Sequence, residues 1–174
     1  YAVNEVRNTK GSCEDITDQE IVDAMTANGY GVSKYLRSKH AYGVTGGLKV
    51  ALAQLGLIAN KHIPAAYLRG SVEQRIALMQ GLMDTDGTCC KHGQCDFTST
   101  KRRLIDDMAE LLWSLGIKVT ITEGLAKLNG RVIGPKYGLK FMTDIPAFRL
   151  ARKLIRQKRG GFRGTHVRRY IVSV

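Results

Sequence analysis

The chain has 174 residues, 44% of them hydrophobic, which is enough for one domain or two small halves with a core. Its 27 Lys and Arg against 15 Asp and Glu leave a formal charge of +12, so a folded surface facing a polyanion is expected. No apolar run approaches the roughly 18 residues of a membrane span, and no signal-peptide pattern is present. Cys13, Cys89, Cys90 and Cys95 are too few and too clustered for a disulfide framework, so a reducing, cytoplasmic or nucleoid-associated location without secretion is expected.

Taken from the front, the chain repeats itself. Gly11-Ser12-Cys13-Glu14 with Thr17 resembles Gly93-Gln94-Cys95-Asp96 with Thr98, and Ile21-Val22-Asp23-Ala24-Met25 matches Leu104-Ile105-Asp106-Asp107-Met108. Tyr42-Gly43-Val44-Thr45 resembles Tyr137-Gly138-Leu139-Lys140, and helix signals follow each, over 48–59 and 147–157. The order is the same in both halves; the second has the longer hairpin. In the first half Lys34, Arg37 and Lys39, beside His40, form a basic loop that either touches phosphate or is a plain polar turn.

The second half opens with a helix over 71–86. Ile76, Met79 and Met83 share one face with Leu78 and Leu82 beside them, while Gly81 lets another backbone come close. The helix runs into Asp84-Thr85-Asp86-Gly87. Carboxylates are badly placed at the carbonyl end of a helix, so a bound cation, most simply a divalent metal, is expected there.

A hairpin over 88–99 comes next, then a helix from Lys101 to Leu115, capped by Thr100 and stopped by Gly116. Ile117, Val119 and Ile121 alternate with Lys118, Thr120 and Thr122, Asn129-Gly130 makes a tight turn, and Tyr137, Leu139 and Phe141 alternate with Lys136, Lys140 and Met142. One face of these strands is apolar and the other carries long polar side chains, which suits the major groove of duplex DNA. The expected DNA contacts are Lys91, Gln94, Asp96, Thr98, Lys118, Thr120, Arg131, Lys136 and Lys140, with Lys34, Arg37 and Lys39 from the first half. An ordinary solvated face is the competing reading.

From Arg149 to Arg169 there are nine basic residues and no acidic one. Phe148, Ala151, Leu154 and Ile155 keep one helix face apolar, so a docked helix with phosphate-binding flanks, Arg159 among them, is expected. Cys89, Cys90, His92 and Cys95 lack a paired C-x-x-C knuckle and read as small buried groups rather than zinc ligands. His62 reads as structural.

Gly81-Leu82-Met83-Asp84-Thr85-Asp86-Gly87 resembles the LAGLIDADG (dodecapeptide) motif of homing endonucleases, and the sequence around it resembles the endonuclease domain of an intein. The supporting pieces are Asn60-Lys61-His62-Ile63-Pro64, Tyr67-Leu68, Arg75 leading to Gln80-Gly81, and Phe97-Thr98-Ser99-Thr100. The ending Arg168-Arg169-Tyr170-Ile171-Val172-Ser173-Val174 resembles the strand by which such inteins re-enter their splicing domain.

The resemblance implies an α+β fold of two pseudo-symmetric αββαββα halves, with saddle-shaped antiparallel sheets astride double-stranded DNA. It implies a monomeric pseudo-dimer that uses Mg²⁺, with Mn²⁺ as substitute, to cut both strands of a long site. The halves would span 1–68 and 69–160, with 161–174 a basic connection to the splicing domain. Asp86, with Gly87, would hold the metal, Asp84 would be structural, and Lys61 and Lys158 (Arg159 as fallback) would face the scissile phosphates. Such chemistry needs a metal-activated water and neutralisation of developing charge.

One departure stands out. No apolar helix ending in Asp-x-Asp-Gly precedes the first half, so its motif helix is expected to be missing and full cleavage is in question. A catalytically decayed nucleic-acid-binding module and a purely structural insertion are the rivals. A splicing-type N-terminal Cys or Ser and a terminal His-Asn are both lacking, so no splicing is expected from this chain alone.

Overall fold

The computed structural model describes residues 19–34 and 42–157. The first half contributes α1 (Gln19–Ala27), β1 (Gly31–Lys34), β2 (Tyr42–Thr45), α2 (Leu48–Gln54) and α3 (Ala65–Leu68). The second half runs α4 (Val72–Asp86), β3 (Gly87–Cys89), β4 (Cys95–Ser99), α5 (Arg102–Ser114), β5 (Val119–Leu128), β6 (Arg131–Phe141) and α6 (Ala151–Leu154), a complete αββαββα unit. The sequence repeat is therefore structural: α1, the β1–β2 hairpin and α2 occupy the places of α5, the β5–β6 hairpin and α6.

The second half carries an antiparallel sheet in the order β3-β4-β6-β5, and the first half a two-stranded one. Neither sheet closes. Cys95, Phe97, Leu139 and Phe141 point inward beneath α4 and α5, where Met79, Leu82, Met83, Leu104, Ile105, Met108, Leu111 and Leu112 complete the core. Burying that many large apolar side chains is what holds the half together, at about 1.5–3 kcal/mol for each one fully buried. Ile63 and Leu68 belong to the same core, whereas α1 and α2 bury no residue.

Helix α4 starts where a capping box is available. Ser71 Oγ accepts from the Gln74 N–H at 3.3 Å while Gln74 Oε1 accepts from the Ser71 N–H at 2.9 Å. The Asn129-Gly130 turn has positive φ at both residues, 48° and 79°, as a two-residue hairpin requires.

Three local expectations are corrected. The cap of α5 is Lys101, whose N–H donates to Ser99 Oγ at 3.0 Å, so Ser99 and not Thr100 supplies the hydroxyl. The helix expected over 147–157 shrinks to Ala151–Leu154, because the backbone at Leu150 is extended, at φ −59° and ψ 115°, where its N–H and that of Arg149 reach the Asp84 carboxylate. The helix expected over 48–59 ends at Gln54, ahead of Gly56 at φ 65°. In addition, a Cβ on Gly81 meets nothing within 4 Å, so among the described residues no backbone approaches it.

Candidate functional site

The last turn of α4 presents two carboxylates in opposite settings. Asp84 is buried, and its Oδ1 accepts from the Arg149 N–H at 3.1 Å and the Leu150 N–H at 3.2 Å. Burial holds its carboxyl above the ordinary range, while those N–H groups and the charges of Lys153 and Arg149 pull the other way. Asp86, two residues on, is exposed.

Gly87 follows as the C-cap, its N–H donating to the Met83 carbonyl. A Cβ there would lie 2.7 Å from both Met83 Cα and Met83 O, so only glycine fits and the chain turns sharply from helix into β3.

Asp86 lines a cleft of about 700 Å³ together with Lys61, His62, Thr85, Thr98, Thr100 and Lys101 over an apolar floor that includes Leu82 and Leu104. The loop after α2 delivers Lys61, and two bonds fix that loop. His62 is buried with Nδ1 2.8 Å from the Asn60 carbonyl, and the Ile63 N–H donates to Asp107 Oδ2 at 2.8 Å. Asp86 and Lys61, distant in sequence, thus line the same cleft, beside the buried His62.

Oxygen donors of this kind fit Mg²⁺, which takes one or two protein carboxylates and fills its other positions with water and phosphate oxygens. No group of three or more His, Cys, Asp and Glu assembles among the described residues, so a closed metal cage is not built from them. The Gly87 carbonyl, the other expected metal donor, accepts instead from Lys153 Nζ at 2.7 Å.

The polar sheet face appears in register. Thr88, Asp96, Lys140 and Thr120 form one row across the four strands, and Thr98, Gly138 and Thr122 the next. Lys118, Thr120, Lys136, Lys140 and Thr98 are exposed, Gln94 and Asp96 half-buried, and Lys91 and Arg131 sit exposed at hairpin turns. Asp96 faces Lys140 at 4.0 Å, which offsets part of that lysine's charge. Thr98 belongs both to this face and to the cleft of Asp86. Lys34 is exposed on β1; Arg37, Lys39, Lys158, Arg159 and the span 161–174 lie outside the described residues.

Sequence reasoning missed Thr88, Lys101 and Lys153. Thr88 was available from strand alternation after Gly87. Nothing local marked the two lysines, which gain their places from the cap of α5 and the docking of α6. The basic segment from Arg149 on also ties back to α4 at the surface: Arg149 Nη2 donates to the Ala77 carbonyl and Nε to Gln80 Oε1, both at 3.1 Å. Cys89 and Cys95 are buried with their sulfurs 3.9 Å apart, and burial holds both thiols above the ordinary range.

A family model described as a LAGLIDADG-like domain matches residues 73–172. A replicative DNA helicase DnaB of Mycobacterium intracellulare is 40% identical over 131 residues; the match takes in 74% of this chain and spans 23% of that protein's length. A structure of I-DmoI in complex with DNA and Ca is 15% identical with a TM-score of 0.48, covering 84% of this chain and 78% of that one. A structure from a study of mesophilic variants of the homing endonuclease I-DmoI is 16% identical with a TM-score of 0.42, covering 80% and 61%. With more than half of its length matched by the family model, the chain belongs to the family of LAGLIDADG-like domains.

Proposed function

We propose that this chain is the endonuclease domain of an intein, a site-specific homing endonuclease that hydrolyses both strands of a long double-stranded DNA site. The observation that carries the reading is the meeting of Asp86 and Lys61 in one cleft that shares Thr98 with the polar face of the sheet. Asp86 would hold the divalent ion, Mg²⁺ or in its place Mn²⁺, which supplies an activated water and stabilises the leaving oxygen. Lys61 neutralises charge developing on the phosphate, with Lys158 or Arg159 in the same role for the second strand. The sheet lies in the major groove, where Lys118, Thr120, Lys140 and Thr98 meet base edges or phosphates and the Asp96 carboxylate accepts from a base-edge amino group.

Family membership supports the nuclease reading, and the formal charge of +12 supports the polyanionic partner. The match to part of a helicase supports an insertion in a host protein of that kind, inside the cell. A chain acting as a monomeric pseudo-dimer fits the repeat of α1, β1–β2 and α2 in α5, β5–β6 and α6.

A second reading, a binding or single-strand-nicking module, is favoured by one observation. Among the described residues, Asp86 is the single carboxylate lining the cleft. The test is cutting of a plasmid carrying the uninterrupted coding sequence of a related helicase, with Mg²⁺ present. Asp86→Asn should keep binding while cleavage falls about 100-fold, the scale expected when a metal ligand is lost. Unchanged cutting refutes the role of Asp86, binding without any cutting by the wild type selects the decayed module, and nicking alone selects the one-acid site.

A further inference from the structure

The carbonyl end of α4 is not bare. Lys153 Nζ donates to the carbonyl oxygens of Met83 at 3.1 Å, Asp84 at 2.6 Å and Gly87 at 2.7 Å. These carbonyls bracket Asp86. The lysine arrives on α6, whose start is fixed by the Asp84 carboxylate accepting from the Leu150 N–H, and its ammonium stands 5.8 Å from the centre of the Phe148 ring. Asp84, α6 and Lys153 thus form a loop of contacts that closes on the turn just before β3.

We propose that Lys153 is a positioning residue for Asp86: anchored on the carbonyls of Met83, Asp84 and Gly87, it fixes the turn from which Asp86 projects. This inference rests on the endonuclease reading above. The end of a helix carries roughly half a negative charge, and unpartnered carbonyl oxygens there are hard donors for any cation. A resident ammonium takes those oxygens and neutralises the pole. A divalent ion is then directed to the Asp86 carboxylate in the cleft, rather than back onto the helix end. The cation expected at the foot of this helix is, for the helix itself, a lysine.

A simple helix cap would stabilise the fold and nothing else, so the test reads metal affinity beside stability. Mn²⁺ is titrated onto the full chain, free ion being followed by its paramagnetic resonance signal, and thermal midpoints are recorded for wild type, Lys153→Met, Lys153→Arg and Asp86→Asn. Lys153→Met should bind Mn²⁺ about tenfold more weakly, as expected when a group that orients a ligand is lost, and Lys153→Arg should recover most of that loss. A lower midpoint with unchanged or tighter Mn²⁺ binding in Lys153→Met overturns the proposal and leaves a cap.

If Lys153→Met does not fold, Lys153→Gln keeps a donor without the charge: weaker Mn²⁺ binding supports the proposal and wild-type affinity overturns it. Asp86→Asn separates the two layers. If it binds Mn²⁺ as the wild type does, the endonuclease reading of Asp86 fails. If it loses Mn²⁺ while the Lys153 variants do not, only the present inference fails.

Discussion

Asp84 offers the sharpest test of how this site is built, because its two jobs, accepting hydrogen bonds and carrying charge, can be separated. One oxygen, Oδ1, takes both the Arg149 N–H at 3.1 Å and the Leu150 N–H at 3.2 Å, while Oδ2 only brushes the Arg149 N–H at 3.3 Å. Asp84→Ala strands two backbone donors at a residue with 7% exposure. At about 1–3 kcal/mol for each buried donor left unpaired, a loss of about 3 kcal/mol is expected. For a chain of 174 residues that is a fall in thermal midpoint of roughly 6–12 °C.

Asp84→Asn keeps one carbonyl oxygen in the position of Oδ1 and removes the ionisation, so it should lose less than about 1 kcal/mol. The pH dependence follows in sign. Burial raises the Asp84 pKa in the folded state, so its contribution is complete below the unfolded value and is lost as pH rises through the folded one. The Asp84→Asn protein, which lacks this titration, should gain on the wild type as pH climbs out of the ordinary carboxylate range. Urea denaturation at several pH values measures both effects. If Asp84→Asn falls as far as Asp84→Ala, charge rather than acceptor geometry holds α6 to α4, and the reasoning is wrong.

Other outcomes follow from the same geometry. Gly87→Ala forces a methyl to within 2.7 Å of the Met83 backbone, and denaturation should show a loss of about 1–3 kcal/mol, the usual scale of overpacking. Lys118→Ala should weaken DNA binding and flatten its salt slope by about one unit, read from affinities at graded ionic strength, if that side chain meets a phosphate. Asp96→Asn should tighten binding to non-specific DNA, since it releases Lys140 from a 4.0 Å ion pair; unchanged affinity would take that pair out of the DNA interface. Among the described cysteines, half-buried Cys90 should be alkylated before Cys89 and Cys95, whose thiols burial keeps protonated; mass spectrometry of partly modified protein reads the order.

Much of this architecture was legible before any coordinates. Alternation over 117–122 and 137–142 marked strands whose inward rows are Leu139, Phe141, Val119 and Ile121, and Asn129-Gly130 marked the turn that joins them. The internal repeat gave the correspondence of α1 with α5 and of β2 with β6. The errors fell at helix ends. Ala147 to Leu150 has helical pattern but not helical structure: acceptors elsewhere hold it, Gln157 Oε1 for the Ala147 N–H and the Asp84 carboxylate for those of Arg149 and Leu150. Pattern is local, and an acceptor supplied by another element leaves no trace in the segment that it holds.

The site divides the same way. Residue types alone determined that an apolar helix ends in Asp-Thr-Asp-Gly, that one sheet face is polar and that the surface is strongly basic, since periodicity and charge are properties of the chain itself. Only the tertiary structure decided which acid is buried and which faces the cleft, that Lys61 joins Asp86 there, and that Lys153 donates to the carbonyls of the helix end. Those facts depend on the packing of α4 against α6 and on the path of the loop after α2. Hydrogen bonds between elements so far apart in sequence exist only once the core between them has formed.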